Sequence, residues 1–371
     1  MTFSCLFTLN GQTVALPEPV QTLSITNIGD APRLVADIGA RLNRDCVFAA
    51  GVIPYEMNPF SQGTGIPLVV HLYDAAPTPF PDGLVGCSEA STFQLEQPFT
   101  PDISKAAYLA KLNRIKEYLA AGDCYQVNLA QRFSTYFSGD PLLGWLGLQT
   151  DHPAPHSCYF DTGTATVFGV SPERFLSIAG KRVVTEPIKG SRPRGNSDAE
   201  DMAFAEELLL NPKDRAENLM IVDLLRNDLG AVCQPGTVNA DRLFELRRFS
   251  NVQHLVSTVT GLLREDISPL EALISAFPGG SITGAPKKRA MEIIDELEPV
   301  PRGAYCGSFF WMDNHGNLDS NILIRTLQTE GNKLYCHGGG GIVFDSDPEA
   351  EYEESRFKVE KLMGSLEQRF L

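Results

Sequence analysis

The sequence lacks a hydrophobic run long enough to cross a membrane. No window approaches the ~18 uninterrupted apolar residues that a membrane-spanning helix needs. The first residues, MTFSCLFTLNGQ, contain no basic segment, and their apolar run stops at Asn10, too early for a secretory signal peptide. We therefore expect a cytoplasmic protein without a membrane partner.

Patterns typical of zinc sites and disulfide frameworks are also absent. The eight cysteines are widely separated and form no CxxC pair. The six histidines form no HExxH motif, and Pro153 and Pro155 beside His152 and His156 exclude a helical metal-binding pair. The sequence predicts reduced thiols and no zinc chemistry.

Positive charge is scarce. Lysine and arginine total 31 residues against 46 acidic residues, and the formal net charge is −15. A surface of this sign repels phosphate backbones, so nucleic acid is not an expected partner. Hydrophobic residues make up 43% of the 371 residues, which is typical of a folded chain with one large domain or two domains.

Strand-like and helical segments are distributed unevenly along the chain. Residues 1 to about 100 contain short apolar runs between Pro- and Gly-rich clusters, which predicts short strands and loops. Further on, strands come in hairpin-like groups with helices between the groups, which favours an α+β protein over a doubly wound fold. We predict a strand-rich segment, 1–100, within the same fold as a catalytic domain, 101–371.

A helix and the strand after it show the two periodicities. Apolar residues recur at helical spacing in 103–121, and Gly122 ends the predicted helix. The next segment, CYQVNLAQRF (124–133), alternates with a period of two. Tyr125 and Val127 belong to its apolar face, whereas Gln126 and Asn128 belong to a polar face that we expect to line a site.

Acidic residues occur at helical spacing in two distant segments. In the closing helix, Glu351, Glu354 and Lys358 project from one side. Asp214 and Glu217 are three positions apart on a helix that is otherwise nearly too apolar for the surface. If the two helices face each other, the four carboxylates suit a hard divalent ion such as Mg²⁺.

Both acidic patterns have simpler explanations, which the sequence leaves open. The closing stripe is consistent with a solvated face whose glutamates favour the positive end of the helix dipole. The other pair is equally consistent with salt bridges to nearby basic residues, namely Lys213, Arg215 and Arg226.

One lysine has a setting suited to nucleophilic chemistry. Lys189 ends an apolar strand in TEPIKGSRPRG, beside Arg192 and Arg194, and neighbouring cations disfavour the charged form of an amine. Glu173 precedes it by a distance suited to adjacent hairpin strands, which would place an acid beside the amine. The alternative is a lysine exposed at a strand end.

Two glycine-rich runs, GGSITGAPKK (279–288) and HGGGGIVF (337–344), fit neither the P-loop nor the dinucleotide-binding fingerprint. Glycines in these runs would let backbone amides approach a bound anion, and tight turns explain them equally well.

With these residues assembled, the chain resembles the chorismate-utilising enzymes, which include the anthranilate, aminodeoxychorismate, isochorismate and salicylate synthases. The resemblance implies a large fold of stacked, mainly antiparallel β-sheets with helices packed outside, and a chorismate site with one Mg²⁺. Eight segments between about residue 100 and residue 365 carry it, in the family's order: GDCYQVNLAQRF, GVSPERF, PIKGSRPRG, AENLMIVDLLRNDLG, FPGGSITGAPKKRAMEIIDELE, RGAYCGSFFW, NILIRT and GGGGIVFDSDPEAEYEESRFK.

The resemblance also implies roles for individual residues. Glu217 and Glu354 match direct magnesium ligands, and Asp214 and Glu351 match partners that act through water. Glu173 matches the acid that assists departure of the C4 hydroxyl. The positions that hold the substrate carboxylates are matched by Tyr305, Arg325, Gly339, Gly341 and Lys358, and further pocket positions by His254 and Ser281.

Two positions distinguish the reactions of the family. Gln126 stands at a substrate-binding position where the water-adding enzymes have a lysine, and because glutamine is no base, ammonia is the expected nucleophile. Lys189 stands where the anthranilate enzymes resemble PIAG. It indicates formation of 4-amino-4-deoxychorismate, a precursor of p-aminobenzoate and folate, with the lysine attacking C2 before ammonia attacks C4.

The ammonia must come from elsewhere, because no cysteine lies in the G-x-C-x-G setting of a glutamine amidotransferase. A separate glutaminase subunit is therefore the expected partner. The nearest alternative is an anthranilate synthase component, which Lys189 alone disfavours. An alternative of another class is a non-catalytic paralogue that binds chorismate or the glutaminase and regulates it.

Overall fold

The structure is a computed structural model that describes residues 3–61, 65–80, 92–249 and 252–371. Cys87 and the end of the Pro-rich cluster at 77–83 lie outside the described residues. The α-helices are α1 (Ala31–Leu42), α2 (Lys105–Ala121), α3 (Pro141–Asp151), α4 (Asp198–Leu210), α5 (Pro212–Val232), α6 (Pro269–Ala276), α7 (Lys287–Leu297) and α8 (Pro348–Phe370).

The β-strands of the described residues follow in chain order. They are β1 (Cys5–Leu9), β2 (Gln12–Leu16), β3 (Gln21–Ile25), β4 (Phe48–Ile53), β5 (Leu68–Tyr73), β6 (Thr78–Pro79), β7 (Phe93–Leu95), β8 (Thr100–Pro101), β9 (Gln126–Gly139), β10 (His156–Asp161), β11 (Thr166–Ser171), β12 (Arg174–Ala179), β13 (Arg182–Thr185), β14 (Ile188–Pro193), β15 (Asn239–Arg248), β16 (Val252–Leu262), β17 (Gly284–Ala285), β18 (Ser308–Asp313), β19 (Leu318–Asn321), β20 (Thr326–Glu330) and β21 (Lys333–Ile342).

The chain divides into two compact units. The larger unit contains Met1–Pro172, Ile282–Asn314 and Asn321–Leu371, and the smaller unit contains Glu173–Ser281 and His315–Ser320. The predicted boundary near residue 100 stays a prediction.

An eleven-stranded antiparallel sheet lies in the larger unit. Its main strand order is β17-β9-β21-β20-β11-β10-β1-β2-β6, and β7 and β8 also pair with β9. The pairing of β21 with β9 is continuous from Lys333 opposite Tyr136 to Ile342 opposite Val127. This long ladder fixes which residues of β9 lie beside the glycine-rich half of β21.

A second sheet of the larger unit, in the order β18-β4-β5-β3, stacks on the first. Phe7 and Phe160 from the first sheet share a buried core with Phe48 and Phe309 from the second. The ring centroids of Phe7 and Phe309 are 5.6 Å apart. Burial of these aromatic side chains stabilises the stack by roughly 2 kcal/mol each.

Helices α3 and α8 cover the other face of the eleven-stranded sheet. Trp145 of α3 and Leu362 of α8 share a buried core with Phe133 and Phe168 of the sheet. The indole of Trp145 donates a hydrogen bond to the backbone oxygen of Gly169 at 3.3 Å. Helix α8, which carries the acidic stripe, is therefore fixed against this sheet.

The smaller unit contains the antiparallel strands β14-β16-β13-β12, and β15 also pairs with β16. Helix α5 packs against β16 through Asn218, whose amide donates to the backbone oxygen of Leu255 at 3.4 Å. The hydroxyl of Ser257 donates to the amide oxygen of Asn218 at 2.5 Å. These contacts determine the position of α5 on the sheet.

Several local predictions are confirmed, as is the α+β class with large antiparallel sheets. Helix α2 buries Tyr108 and Leu112, and it ends at Gly122 with a left-handed φ of 79°. Ser197 and Glu200 have the spacing of a helix-capping box, which predicts the start of a helix, and the side chain of Ser197 caps α4 by accepting from the backbone N–H of Glu200. Helix α1 was not predicted.

One strand prediction needs correction. The segment SNILIRTLQTE has a strand-like sequence pattern, which predicts one continuous strand. It is not one strand, because β19 ends at Asn321 and β20 begins at Thr326, with Arg325 between them at a φ of 52°. The run HGGGG lies within strand β21, as the strand-like pattern of KLYCHGGGGIVF predicts, so the alternative of a tight turn does not explain its glycines. None of the helices in the described ranges combines the length and apolar composition of a membrane span.

Candidate active site

Ser281 connects the predicted amine and the predicted acid in the smaller unit. The amine of Lys189 donates to the backbone oxygen of Ser281 at 3.3 Å, and the hydroxyl of Ser281 donates to Glu173 Oε1 at 3.0 Å. Glu173 is only 6% exposed, and Lys189 is half-buried. The amine of Lys189 and the carboxyl group of Glu173 are thus both hydrogen-bonded to Ser281.

The route by which these groups meet differs from the predicted one. Strands β12 and β13 form the expected hairpin, with Ser177 opposite Val184. Lys189, however, lies on β14, which pairs with β16 rather than with β12. The expected cross-strand pair with Glu173 is therefore replaced by a contact through Ser281.

The arginines beside Lys189 are engaged by carboxylates. Arg192 donates to Glu207 at 2.7 and 2.8 Å and to Asp214 at 3.0 Å, and Arg194 donates to Asp201 at 2.6 Å. Because these arginine charges are balanced by carboxylates, they do not disfavour the charged form of Lys189 in the way that the sequence predicted. The burial of Lys189 and its contact with Ser281 remain.

His254 lies on β16, opposite Ser191 of β14. Its ring is buried, and His254 Nδ1 and Ser191 Oγ are hydrogen-bonded at 2.7 Å. The edge of Phe249 packs against the imidazole, with centroids 5.5 Å apart. These contacts hold the predicted pocket histidine in one orientation.

Asp214 and Glu217 lie in the first two turns of α5. The side chain of Asn211 caps this helix by accepting hydrogen bonds from the N–H groups of Lys213 and Asp214. The ion pair predicted as the alternative for Asp214 is present, but its partner is Arg192. Lys213 Nζ lies 3.9 Å from Glu217 Oε1, so this contact is looser than the first.

The acidic stripe of α8 converges on the glycine strand of the larger unit. A Cβ added to Gly340 would lie 3.3 Å from Glu351 Oε2, 3.5 Å from Lys358 Nζ and 3.6 Å from Glu354 Oε1. Glu351 is buried and accepts a hydrogen bond from Ser346 at 2.6 Å. The predicted common direction of these three side chains is therefore confirmed.

The predicted faces of the 124–133 strand are only partly correct. Tyr125, assigned to the apolar face, is 68% exposed, whereas both Gln126 and Asn128 are buried. Gln126 Oε1 and Asn128 Oδ1 have no hydrogen-bond partner among the described residues. The Gln126 amide nitrogen occupies the space that a side chain at Gly341 would need.

Tyr305 overhangs the same glycine strand. Its hydroxyl would be 2.9 Å from a Cβ added to Gly339, and its ring stacks on His337 with centroids 5.1 Å apart. Burial raises the pKa of Tyr305 well above its ordinary value, so its hydroxyl keeps its proton. Lys358 donates to the backbone oxygen of Gly339 at 3.0 Å.

Arg325 has a strained backbone and a guanidinium without a carboxylate partner in the described part of the chain. Surrounding protein lowers its pKa, although the residue stays accessible to solvent. A cation held in this way favours an anionic ligand. Its φ of 52° costs of order 1–3 kcal/mol for a residue with a side chain.

The carboxylates present are suitable for Mg²⁺, although the described residues contain no group of three or more His, Cys, Asp or Glu placed to hold a metal ion. Mg²⁺ takes one or two carboxylates and completes its shell with water and substrate. Glu351 and Glu354, which lie near Gly340, provide carboxylate oxygens of this kind in the larger unit.

Sequence reasoning missed the residues that support these groups. The sequence places Asn128 on a polar face without indicating its contacts, and it contains no local signal for a role of Arg302, at the start of RGAYCG. Arg302 is buried and paired with Glu298. A buried arginine is unusual enough to attract notice, but burial itself was not visible in the sequence.

Comparison with known proteins identifies the family of the chain. The profile of the chorismate binding enzyme family matches residues 79–364. Aminodeoxychorismate synthase component 1 of Klebsiella aerogenes is 48% identical over 278 residues, 75% of this chain and 62% of that protein. Anthranilate synthase component 1 of Geobacillus stearothermophilus is 41% identical over 280 residues, 76% of this chain and 55% of that protein. The match thus spans less than two thirds of either relative.

A solved structure shows the same fold. Anthranilate synthase component I from Streptococcus pneumoniae superposes with a TM-score of 0.77 at 24% identity, covering 98% of this chain and 91% of that chain. The family profile covers well over half of the sequence, and the predicted resemblance is confirmed. The chain belongs to the chorismate binding enzyme family.

Proposed function

We propose that the protein converts chorismate and ammonia to 4-amino-4-deoxychorismate, with Lys189 as the nucleophile. The observation that carries this proposal is the pair of hydrogen bonds by which Ser281 holds both the amine of Lys189 and the carboxyl group of Glu173. Similarity to aminodeoxychorismate synthase component 1 of Klebsiella aerogenes supports the choice of product.

In the first step, the unprotonated amine of Lys189 attacks C2 of chorismate. The ring double bond shifts, the C4–O bond breaks, and Glu173 gives its proton to the departing hydroxyl, which leaves as water. The hydroxyl of Ser281 donates to Glu173 and so holds the acid in place. In the second step, ammonia attacks C4, the bond from Lys189 to C2 breaks, and the carboxylate of Glu173 recovers a proton.

The two carboxylates of chorismate require cationic and neutral donors. We propose that Arg325, Lys358 and the hydroxyl of Tyr305 bind them, together with backbone amides of the glycine strand at Gly339 and Gly341. His254 and Ser281, which lie in the same unit as Lys189, are the further substrate contacts that we propose. Gln126, whose side chain lies over Gly341, contacts the substrate and supplies no base.

We propose that Glu217 and Glu354 bind Mg²⁺ directly and that Asp214 and Glu351 act through water. Asp214 accepts from Arg192 and Glu351 accepts from Ser346, which supports their indirect roles. Glu354 also forms an ion pair with Lys358 at 2.7 Å, a contact that a bound metal ion would share. When bound, Mg²⁺ supplies positive charge that orients the ring carboxylate and stabilises the charge that develops on it.

We infer that a separate glutaminase subunit delivers the ammonia. The names of the relatives support this inference, because a component 1 implies a second component. Free ammonium at mildly alkaline pH should replace that subunit in the purified system.

The product of the purified chain tests the proposal. Incubation with chorismate, Mg²⁺ and an ammonium salt should yield 4-amino-4-deoxychorismate, identified by mass spectrometry. Lys189→Ala should abolish the product, whereas Lys181→Ala, at an exposed lysine, should not. Anthranilate as the product would establish the nearest alternative. No turnover even with a cognate glutaminase would favour a non-catalytic paralogue.

A further inference from the structure

A buried arginine connects three segments of the larger unit. Arg302 is 2% exposed and donates to both carboxylate oxygens of Glu298, at 2.6 and 2.8 Å. It also donates to the backbone oxygens of Ile282, at 3.1 Å, and Asn128, at 2.9 Å. Glu298 Oε1 accepts a further hydrogen bond, from the N–H of Ala130, at 2.9 Å.

The guanidinium of Arg302 also lies near two aromatic rings. Its central carbon is 4.6 Å from the ring centroid of Tyr55 and 5.7 Å from that of Tyr305. The ring of Tyr305 also stacks on the imidazole of His337, at an interplanar angle of 10°. Tyr305 therefore has few orientations open to it.

These contacts set the position of the Tyr305 hydroxyl relative to the glycine strand. Asn128 and Ala130 of β9, both bonded to the Arg302–Glu298 pair, lie opposite Gly341 and Gly339 of β21. The same pair fixes the segment that leads to Tyr305, because Tyr305 N–H donates to the backbone oxygen of Arg302 at 3.1 Å. One ion pair thus holds both the strand pair and the hydroxyl above it.

We propose that Arg302 and Glu298 are positioning residues for chorismate binding, which act by holding the hydroxyl of Tyr305 over Gly339. The proposal rests on the proposed function insofar as a carboxylate of chorismate binds there. A purely structural ion pair would affect stability alone. A positioning pair must also affect substrate affinity, and it must do so through Tyr305.

A double-mutant cycle between Arg302→Lys and Tyr305→Phe separates these roles, because only coupled residues give non-additive effects. Arg302→Lys keeps the charge and loses the planar fork that holds Glu298. We expect it to raise KM for chorismate about tenfold with kcat changed less than about twofold, the effect of a misplaced hydrogen bond to a charged group. In the Tyr305→Phe background, the same change should raise KM less than about twofold.

Equal effects in both backgrounds, or an unchanged KM, would overturn the proposal. Arg114→Lys, at an exposed helical arginine paired with Glu117, is the matched control and should leave KM unchanged. If Arg302→Lys does not fold, Glu298→Gln replaces it in the cycle, and circular dichroism identifies the folded variants.

Calorimetric titration with chorismate repeats the cycle on affinity alone. If the wild type binds chorismate but forms another product, the proposed function fails and the cycle still decides the role of Arg302. If the wild type does not bind chorismate, the positioning proposal fails with it.

Discussion

Ser281 is the residue on which the proposed chemistry depends most closely, because it contacts both reacting groups with different atoms. Its backbone oxygen accepts from Lys189 and its hydroxyl donates to Glu173. A substitution that removes only the hydroxyl therefore separates the two contacts.

We expect Ser281→Ala to lower kcat about 10- to 100-fold, since Glu173 loses a hydrogen bond while the contact of Lys189 with the backbone is kept. Steady-state rates of product formation measure the effect. Ser157→Ala, a buried serine that donates to Ala154, is the control and should keep the wild-type kcat. A Ser281→Ala enzyme with full kcat would remove the hydroxyl from the mechanism.

The buried His337 makes stability depend on acid pH. Burial lowers its pKa to about 3, whereas the unfolded chain has the ordinary histidine pKa of about 6.5. Below pH 6.5 the unfolded state binds a proton that the folded state does not, so stability falls with pH until about pH 3. When the pH falls from 7 to 5, this histidine therefore lowers the free energy of unfolding by about 2 kcal/mol.

The free energy of unfolding, measured with urea, should therefore fall by about 2 kcal/mol less in His337→Gln than in the wild type when the pH is lowered from 7 to 5. The comparison of two pH values removes the constant cost of losing the stack on Tyr305. His315→Gln, which changes an exposed histidine, is the matched control. An unchanged pH dependence in His337→Gln would contradict the assignment.

At the level of single residues, the sequence identified the chemistry but not the contacts. Lys189 and Glu173 stand in motifs with a chemical meaning, so both could be named beforehand. Ser281 is 92 positions from one and 108 from the other, and no local pattern announces such a contact. Arg302 could not be identified either, because its role depends on its burial, which no local sequence pattern shows.

At the level of elements, the packing of α8 on β21 depends on the run of glycines in that strand. A Cβ added to Gly338 would overlap the backbone oxygen of Ser355 and lie 2.9 Å from Val359. The helix therefore approaches the strand more closely than any other residue type would permit. This approach brings the acidic stripe to Gly340.

We expect Gly338→Ala to destabilise the protein by about 1–3 kcal/mol, because α8 must move away from the strand. Gly364→Ala, on the same helix, is the control. A Cβ there meets nothing within 4 Å, so helix propensity should leave stability equal or about 1 kcal/mol higher. Urea unfolding measures both variants, and equal stability of Gly338→Ala and wild type would show that the close approach is unimportant.

Elements with local signals were predictable, whereas those shaped by their surroundings were not. Helix α2 ends at Gly122 and helix α4 begins after the capping residue Ser197, and both residue types are local signals of a helix end. The break between β19 and β20 depends on Arg325 in a left-handed conformation that its own sequence disfavours. The glycine run was ambiguous because a strand interior is an uncommon place for so many glycines.

At the level of the whole molecule, the predicted residues are shared between the two units. The smaller unit carries the acid, the amine and the acidic pair of α5, and the larger unit carries the glycine strand, Tyr305, Arg325 and α8. Composition gave no sign of this division, because the chain leaves the larger unit after Pro172 and returns at Ile282 without a linker of distinctive sequence.

The cysteines of the described residues support the proposal that the ammonia comes from a separate subunit. All seven are buried, and burial raises the pKa of Cys158 and of Cys336 to about 12, so that neither supplies a thiolate near neutral pH. We therefore expect the purified chain to form no product from chorismate and glutamine and to form it from chorismate and ammonium. At constant total ammonium, the rate should rise with pH as the unprotonated fraction grows.

Adding the glutaminase subunit of a related synthase should restore turnover with glutamine. The same subunit with its nucleophilic cysteine changed to alanine is the control, since it can still dock but releases no ammonia. Liquid chromatography with mass spectrometry follows the product in each mixture. Product from glutamine with the chain alone would show that this protein carries its own glutaminase activity, and the inferred partner would then be unnecessary.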